Sequence, residues 1–364
     1  MEFKINKINF EKILNSIVKL IPPKSTHTVL QNIVLEAKGN NINIEGTDLD
    51  IFIKKSLPCD IKKEGKVLVP GKKLLEITRE ANVDEISFKL KELNLQINAG
   101  NAQFNIPVLD YQEFPEIPSF PSKKWLTLSI DELNIMANAT IFMVSKELSR
   151  RAMNGVLMQI KENWLNIVTT DGARLALCRK EQKGENGELI LPPKVFELLD
   201  INQTEEPLEI FLDERIVGLK FGSTLIIARL IEGPYPNYEA VIPKTFPGTC
   251  IVEKAFLEGA LKRVSLVSSP TLKSVKFDFS KENILLSAAS PDSGEAKEPV
   301  ACNYDGEKMV VWYNAGFLLE IMRHISTSDI VFQLTSPSSA SLIKPKEDDN
   351  LMYLLMPLRI DSYE

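Results

Sequence analysis

One stretch of about 20 residues occurs three times in this chain at nearly equal spacing, and a repeat of that length fixes the unit from which the fold is built. Asn32 to Asp50 reads as two alternating strands around a polar turn, with Ile33, Leu35, Ala37, Ile42 and Ile44 on one face. A shift of 123 residues puts Val156, Met158, Ile160, Leu165 and Ile167 on the same positions and matches Thr170-Asp171 to Thr47-Asp48 without a gap. A further shift of 119 gives Val275, Phe277, Phe279, Ile284 and Leu286, with Ala289-Ser290 where the Thr-Asp pair stood. The third copy is recognisable and divergent.

The flanking segments repeat in the same order, so chance alternation does not explain the match. Before each hairpin the spacing predicts an amphipathic helix: Phe10, Ile13, Leu14, Ile17, Val18 and Ile21, then Leu133, Met136, Ala137, Thr140 and Ile141, then Phe256, Leu257, Ala260, Leu261 and Val264. After each hairpin a short strand runs into a second helix, at Val67, Leu189 and Met309, with Pro70 and Pro192 near the helix start where a missing N–H costs nothing. More alternating strands close each copy. Breakers cluster at Phe114 to Pro121 and at Ile242 to Gly248, which divides the chain into 1–122, 123–248 and 249–364. Each unit must bury two helical stripes against one face of an antiparallel sheet, so the class is α+β with three tandem copies.

With 364 residues, 44% of them hydrophobic, the chain can build cores without metals or disulfides. Cys59, Cys178, Cys250 and Cys302 are far apart with no Cys-x-x-Cys pair, which points to a reducing compartment; no window reaches the roughly 20 apolar residues of a membrane span. A net charge of -6 means that any contact with nucleic acid rests on a local basic surface.

Gly46-Thr47-Asp48-Leu49-Asp50, Thr170 to Ala176 (TDGARLA), Gly233 to Tyr238 (GPYPNY) with Val241-Ile242-Pro243-Lys244, and Met356-Pro357-Leu358-Arg359-Ile360 stand in an order that resembles the bacterial DNA polymerase III beta clamp. The likeness spans essentially the whole chain. It implies a head-to-tail homodimer: a ring of six domains, helices inside and sheets outside, around double-stranded DNA held without sequence preference. The resemblance sets Phe104 and Ile106 of the first domain against Leu266 and Val267 of the third, although a place in the ordinary core is an equal reading for Leu266.

In that arrangement the lining helices carry Lys12, Lys19, Lys72, Lys73, Arg79, Lys194, Lys262 and Arg263, a placement that attracts phosphates collectively although each lysine alone reads as a solvated surface residue. Lys24, Lys146, Arg150 and Arg151 match loop positions that contact DNA in the family, with Arg151 where relatives carry an aromatic or proline. The family also implies a groove for short linear motifs of the polymerase III catalytic subunit, the clamp loader and repair polymerases. Met153, Thr170, Gly172, Arg174, Leu175, Pro236, Val241, Met356, Pro357, Leu358 and Arg359 match it. Methionine suits such a surface because its unbranched thioether repacks for different ligands. Ala173 stands where the family often has histidine and Ala240 where it often has arginine, and Asp361 to Glu364 add acidic charge beyond the usual terminus. Asp171 reads as a turn residue.

An enzyme would need Asp171 with Arg174, or His27 and His324, as its reacting groups. The histidines are isolated, and neither a phosphate loop nor a nucleophile elbow occurs. The expectation is therefore a non-catalytic cytoplasmic, nucleoid-associated tether with no cofactor or metal, and the remaining rival is a scaffold that presents peptides without closing a ring.

Overall fold

The computed structural model describes residues 1–22, 27–199 and 206–359. The first copy of the repeat contains β1 (Glu2–Asn6), α1 (Lys7–Leu20), β2 (Asn32–Lys38), β3 (Asn41–Thr47), β4 (Ile51–Pro58), β5 (Asp60–Lys63), β6 (Gly65–Pro70), α2 (Gly71–Glu80), β7 (Glu85–Lys91), β8 (Asn94–Ala99) and β9 (Ala102–Pro107). The second contains β10 (Lys123–Leu128), α3 (Ile130–Asn138), β11 (Val156–Lys161), β12 (Trp164–Thr170), β13 (Arg174–Glu181), β14 (Gly187–Leu191), α4 (Pro193–Leu199), β15 (Leu208–Leu212), β16 (Ile216–Phe221) and β17 (Thr224–Arg229). The third contains β18 (Gly248–Glu253), α5 (Lys254–Val264), β19 (Ser274–Phe279), β20 (Asn283–Ser290), β21 (Gly294–Tyr304), β22 (Met309–Asn314), α6 (Ala315–Arg323), β23 (Asp329–Leu334), β24 (Ser341–Pro345) and β25 (Leu351–Leu355). Element for element, this is the α+β repeat that the apolar spacing predicts. No helix of the described residues is long and apolar enough to cross a membrane.

The alternating residues are the core. Ile33, Leu35, Ile42 and Ile44, their counterparts Val156, Met158, Ile160, Leu165 and Ile167, and Val275, Phe277, Phe279, Ile284 and Leu286 are all at most 1% exposed. Aromatic pairs lock the layers: Phe3 of β1 stacks on Phe88 of β7 at 4.7 Å, and Phe10 of α1 meets Phe88 edge-on at 5.4 Å. Two stripes depart from expectation: Thr140 and Ile141 lie beyond the end of α3 at Asn138, and α5 does not bury Phe256. Phe256 is 64% exposed, because α5 buries Leu257, Ala260, Leu261 and Val264, an i, i+3, i+4, i+7 set that leaves Phe256 off its face.

The residues form two compact units, Met1–Asn134 with Leu191–Leu230, and Ile135–Ile190 with Ile231–Glu364. Sheet joins explain the split. In the first unit β17 pairs antiparallel with β4, Thr224 opposite Lys55 and Ala228 opposite Ile51, so half of the second repeat extends the first repeat's sheet into the order β10-β15-β16-β17-β4-β3-β2-β6. In the second unit β25 pairs antiparallel with β13, Leu355 opposite Arg174 and Leu351 opposite Cys178. Each join puts the last strand of one repeat against the strand that follows the shared hairpin of the repeat before it.

Candidate functional site

The Thr-Asp pairs seen in the sequence build the same turn twice. In the first, Thr47 Oγ1 donates to Ile51 O and accepts from Leu49 N–H, while Asp48 Oδ1 accepts from the N–H groups of Asp50 and Ile51. In the second, Thr170 Oγ1 donates to Arg174 O and accepts from Gly172 N–H, while Asp171 Oδ1 accepts from Ala173 and Arg174. The third turn residue has positive φ in both, 84° at Leu49 and 92° at Gly172. Asp171 is thus a turn residue, with its oxygens already bonded.

What the free oxygen of each aspartate holds differs. Asp48 Oδ2 accepts from Lys194 Nζ at 2.9 Å, and the same ammonium donates to Leu20 O at the C-terminal end of α1, also at 2.9 Å. Lys194, expected among the DNA-facing cations, is therefore neutralised inside the first unit. Asp171 Oδ2 accepts from Arg174 Nε at 2.9 Å, and Arg174 Nη1 reaches Glu320 of α6 at 2.6 Å. The guanidinium lies 4.3 Å from the Phe317 ring centroid and 5.7 Å from that of Phe142, with 9% of the residue exposed. His324 stacks on the other aromatic, Phe142, at 3.9 Å with an interplanar angle of 3°. Burial pushes His324 below the usual imidazole range. Asp171, Arg174 and His324, three of the four groups an enzyme would have used, are held in structural contacts.

Beside the second turn lies a groove of about 300 Å³. Met153, Thr170, Gly172, Arg174, Leu175, Pro236, Val241 and Met356 line it, eight of the residues that the resemblance assigns to a peptide groove. Pro357, Leu358 and Arg359 are not in its wall: Leu358 N–H donates to Trp312 O at 2.8 Å, so the chain leaves the groove after Met356 and runs along β22. Among the lining residues that sequence reasoning passed over are Arg150, Asn237, Tyr238, Ala340 and Leu354. The floor is a buried cluster of Leu157, Val168, Leu175, Leu177, Leu342 and Leu354, against which Tyr235, Ile242 and Phe246 pack. These residues occupy the second faces of β11, β12, β13, β24 and β25, so the strands are apolar on both sides.

Arg150, expected at DNA, folds over the turn instead. Its Nη1 donates to Asp171 O at 3.2 Å, its Nε pairs with Glu147 at 3.0 Å, and the side chain forms part of the groove lining. A Cβ added at Gly172 would collide with that Nη1 and would meet Met153 Cε at 3.5 Å. Gly172→Ala is expected to lower stability by about 1 kcal/mol through its positive φ, which Leu49 shows to be bearable at this turn, and to push Arg150 out of the groove. Denaturant unfolding checks the first part; an unchanged or raised midpoint would contradict it.

The other expected basic residues are distributed unevenly. Lys146 and Arg151 are exposed, as are Lys12, Lys19 and Lys72, while Lys73 pairs with Glu76, Arg79 with Asn15 and Glu11, Lys262 with Glu258 and Arg263 with Glu298. Such exposed pairs exchange for phosphate at little cost. Lys24 and the tail Asp361 to Glu364 lie outside the described residues. Of the expected interface residues, Leu266 is 79% and Phe104 37% exposed, and Val267 is half-buried; Ile106, at 8%, belongs to its own unit's core.

Three family models match in order: the DNA polymerase III beta subunit N-terminal domain over residues 1–118, its central domain over 127–237 and its C-terminal domain over 239–359. The beta sliding clamp of Haemophilus influenzae is 28% identical, over 99% of this chain and 100% of its own length. Among solved structures, the DNA polymerase III beta subunit of Thermotoga maritima superposes with a TM-score of 0.94 at 28% identity, covering 99% of this chain and 100% of that one. The sliding clamp of Bartonella birtlesii, solved bound to griselimycin, superposes with a TM-score of 0.93 at 27% identity over the same shares. With all three domain models matched in sequence order along nearly its full length, this chain belongs to the DNA polymerase III beta subunit family.

Proposed function

We propose that two copies of this chain close head to tail into a ring around duplex DNA and act as the non-catalytic processivity subunit of a replicative polymerase. The observation that carries the reading is the rule of the sheet joins. β17 meets β4 in one unit and β25 meets β13 in the other, each time last strand to hairpin-following strand. The same rule leaves two equivalents over: β9, which among the described residues pairs with β8 alone, and the first part of β21, which among them pairs with β20 alone. A second copy supplies what each lacks, and a heterologous contact that closes after two copies is a ring.

The register follows from the repeat. Ala102 corresponds to Thr224 and Ile106 to Ala228, since each strand follows its predecessor through an equivalent turn, Ala99 opposite Ala102 and Phe221 opposite Thr224. Glu295 opposite Ala289 corresponds to Phe52 opposite Thr47. Phe104 of one copy then faces Ala296 of the other, and Gln103 faces Lys297. The Ser290 hydroxyl supports the same closure: it is buried without a hydrogen-bond partner among the described residues, at the position of Asp48, and Lys72 of the second copy would stand where Lys194 stands in the first unit.

In this reading the repeats divide at residues 122 and 248, the exposed cations Lys12, Lys19, Lys146 and Arg151 with the exchangeable Arg79 and Lys262 hold phosphates weakly enough to slide, Lys24 joins them, and Lys72 serves the closure instead. The groove takes short linear motifs of the polymerase, the loader and repair polymerases, and griselimycin competes for it. A partner held there gains a high effective concentration at the template. An ATP-driven loader, a separate protein, opens the ring, and the work is done in the cytoplasm at the nucleoid.

The test is Gln103→Cys with Lys297→Cys in one chain. Directly opposed strand residues lie about 4.5–5.5 Å apart, within reach of a disulfide. Oxidation is expected to give a covalent dimer that neither single variant gives. Loaded on nicked circular DNA at high salt and then oxidised, it should stay on the circle and leave when the circle is linearised. No cross-link and no retention, with a control clamp loaded in parallel, would move the reading to a peptide scaffold that never closes.

A further inference from the structure

We infer that Gln159, which does not line the groove, sets the groove's width by holding one of its walls, so that it is a positioning residue for ligand binding. The inference rests on the reading of the groove as the ligand site. The wall is the 3-10 turn Tyr238–Val241, which with Pro236 and Asn237 contributes four lining residues. A single 3-10 turn has too few internal hydrogen bonds to hold a position by itself. Val241 at the end of the turn is 54% exposed, so burial of its own side chain does not anchor it either.

What anchors the turn is one face of β11. Alternation sends Val156, Met158 and Ile160 to the core and leaves Leu157, Gln159 and Lys161 on the other side. Leu157, 1% exposed, lies under the wall with Tyr238 in the same apolar cluster. The next residue on that face, Gln159, accepts a hydrogen bond from Tyr238 Oη through Oε1 at 2.8 Å and donates through Nε2 to Glu188 Oε2 at 2.8 Å. The carboxylate fixes the amide orientation, because a flipped Gln159 would set its oxygen against Glu188. Lys161 then meets Glu239 at 2.6 and 2.8 Å. Both of those side chains are exposed and screened, so the salt bridge adds little. Tyr238 is 7% exposed, and the bond through Gln159 satisfies its buried hydroxyl. The phenol proton is held: burial first, then Glu239 and Glu188 nearby, push it up to about 12.

Gln159→Met keeps the volume and removes both bonds. Griselimycin is the probe, with affinity read by calorimetry on the full chain. The variant is expected to bind roughly three- to tenfold more weakly, the worth of one net hydrogen bond. Hydrogen exchange of the amides in residues 236–242 should rise, with the dimer and its retention on circular DNA unchanged. Gln159→Glu combined with Glu188→Gln keeps the bond from Tyr238 and reverses only the second, the amide at position 188 now donating to the carboxylate at 159, and should restore both affinity and protection. Wild-type affinity in Gln159→Met overturns the inference while leaving the groove reading standing. Weakened binding that the double exchange does not restore also overturns it, because loss of packing alone would then account for the effect. Failure of the unaltered chain to bind griselimycin overturns the groove reading and this inference together.

Discussion

Arg174→Ala is expected to lower the stability of the second unit by about 3 kcal/mol, the range found when one member of a buried pair is removed. Three losses combine. Asp171 loses the Nε–H on Oδ2, Glu320 loses its partner at 2.6 Å, and the Phe317 and Phe142 rings lose the cation between them. Glu320 is 38% exposed at its side chain and is rehydrated cheaply, so the larger share falls on Asp171, 20% exposed and tied into the turn, and on the packing around the guanidinium. Arg174→Lys should recover only part, since an ammonium neither stacks as a plane nor reaches both carboxylates. Arg150→Ala is the control: its side chain is 47% exposed and its truncation should stay within about 0.5 kcal/mol. Denaturant unfolding of all three decides the matter. A cost at Arg174 below that at Arg150 would mean that the residue serves the ligand rather than the fold.

That contrast marks where sequence reasoning succeeds and where it stops. The repeat was legible because each hairpin alternates cleanly, and alternation reports directly on which side chains face the helices. The groove was legible where a residue sits in a motif, as Thr170, Gly172 and Pro236 do. It was not legible in the floor: Leu157, Val168, Leu342 and Leu354 lie on the faces opposite the repeat's core, and a strand apolar on both sides reads only as a hydrophobic run. Charges were the hardest to place. Arg150, expected at DNA, is turned into the groove mouth, while Arg174, expected in the groove, lines it with its guanidinium locked by Glu320, 146 residues away. Lys194 is a similar case, since its role depends on the carbonyl end of α1, 174 residues earlier. Pairing across such separations leaves no local spacing to read. Phe256 shows the smaller limit, a stripe extended by one residue beyond the helix face that is buried.

Phe104→Asp is expected to raise the dissociation constant of the dimer roughly 100-fold and to abolish retention on circular DNA, with the fold of the chain intact. The fold should survive because Phe104 is 37% exposed and its neighbour Ile106, not Phe104, fills the core. The interface should not. In the proposed register the ring would lie against Ala296, a small residue that leaves room for it, with Glu298 next along the same face of the strand. An aspartate there exchanges an aromatic anchor for a carboxylate beside another, that of Glu298. Lys297, opposite Gln103, is the one cation on that stretch, and it is turned to the other face by strand alternation. Sedimentation across a concentration series measures the constant, and circular dichroism reports whether the monomer remains folded. Phe104→Leu should fall between the two, losing area without adding charge. A dimer as tight as the parent's in Phe104→Asp would remove β9 from the interface and with it the pairing rule from which the ring was derived.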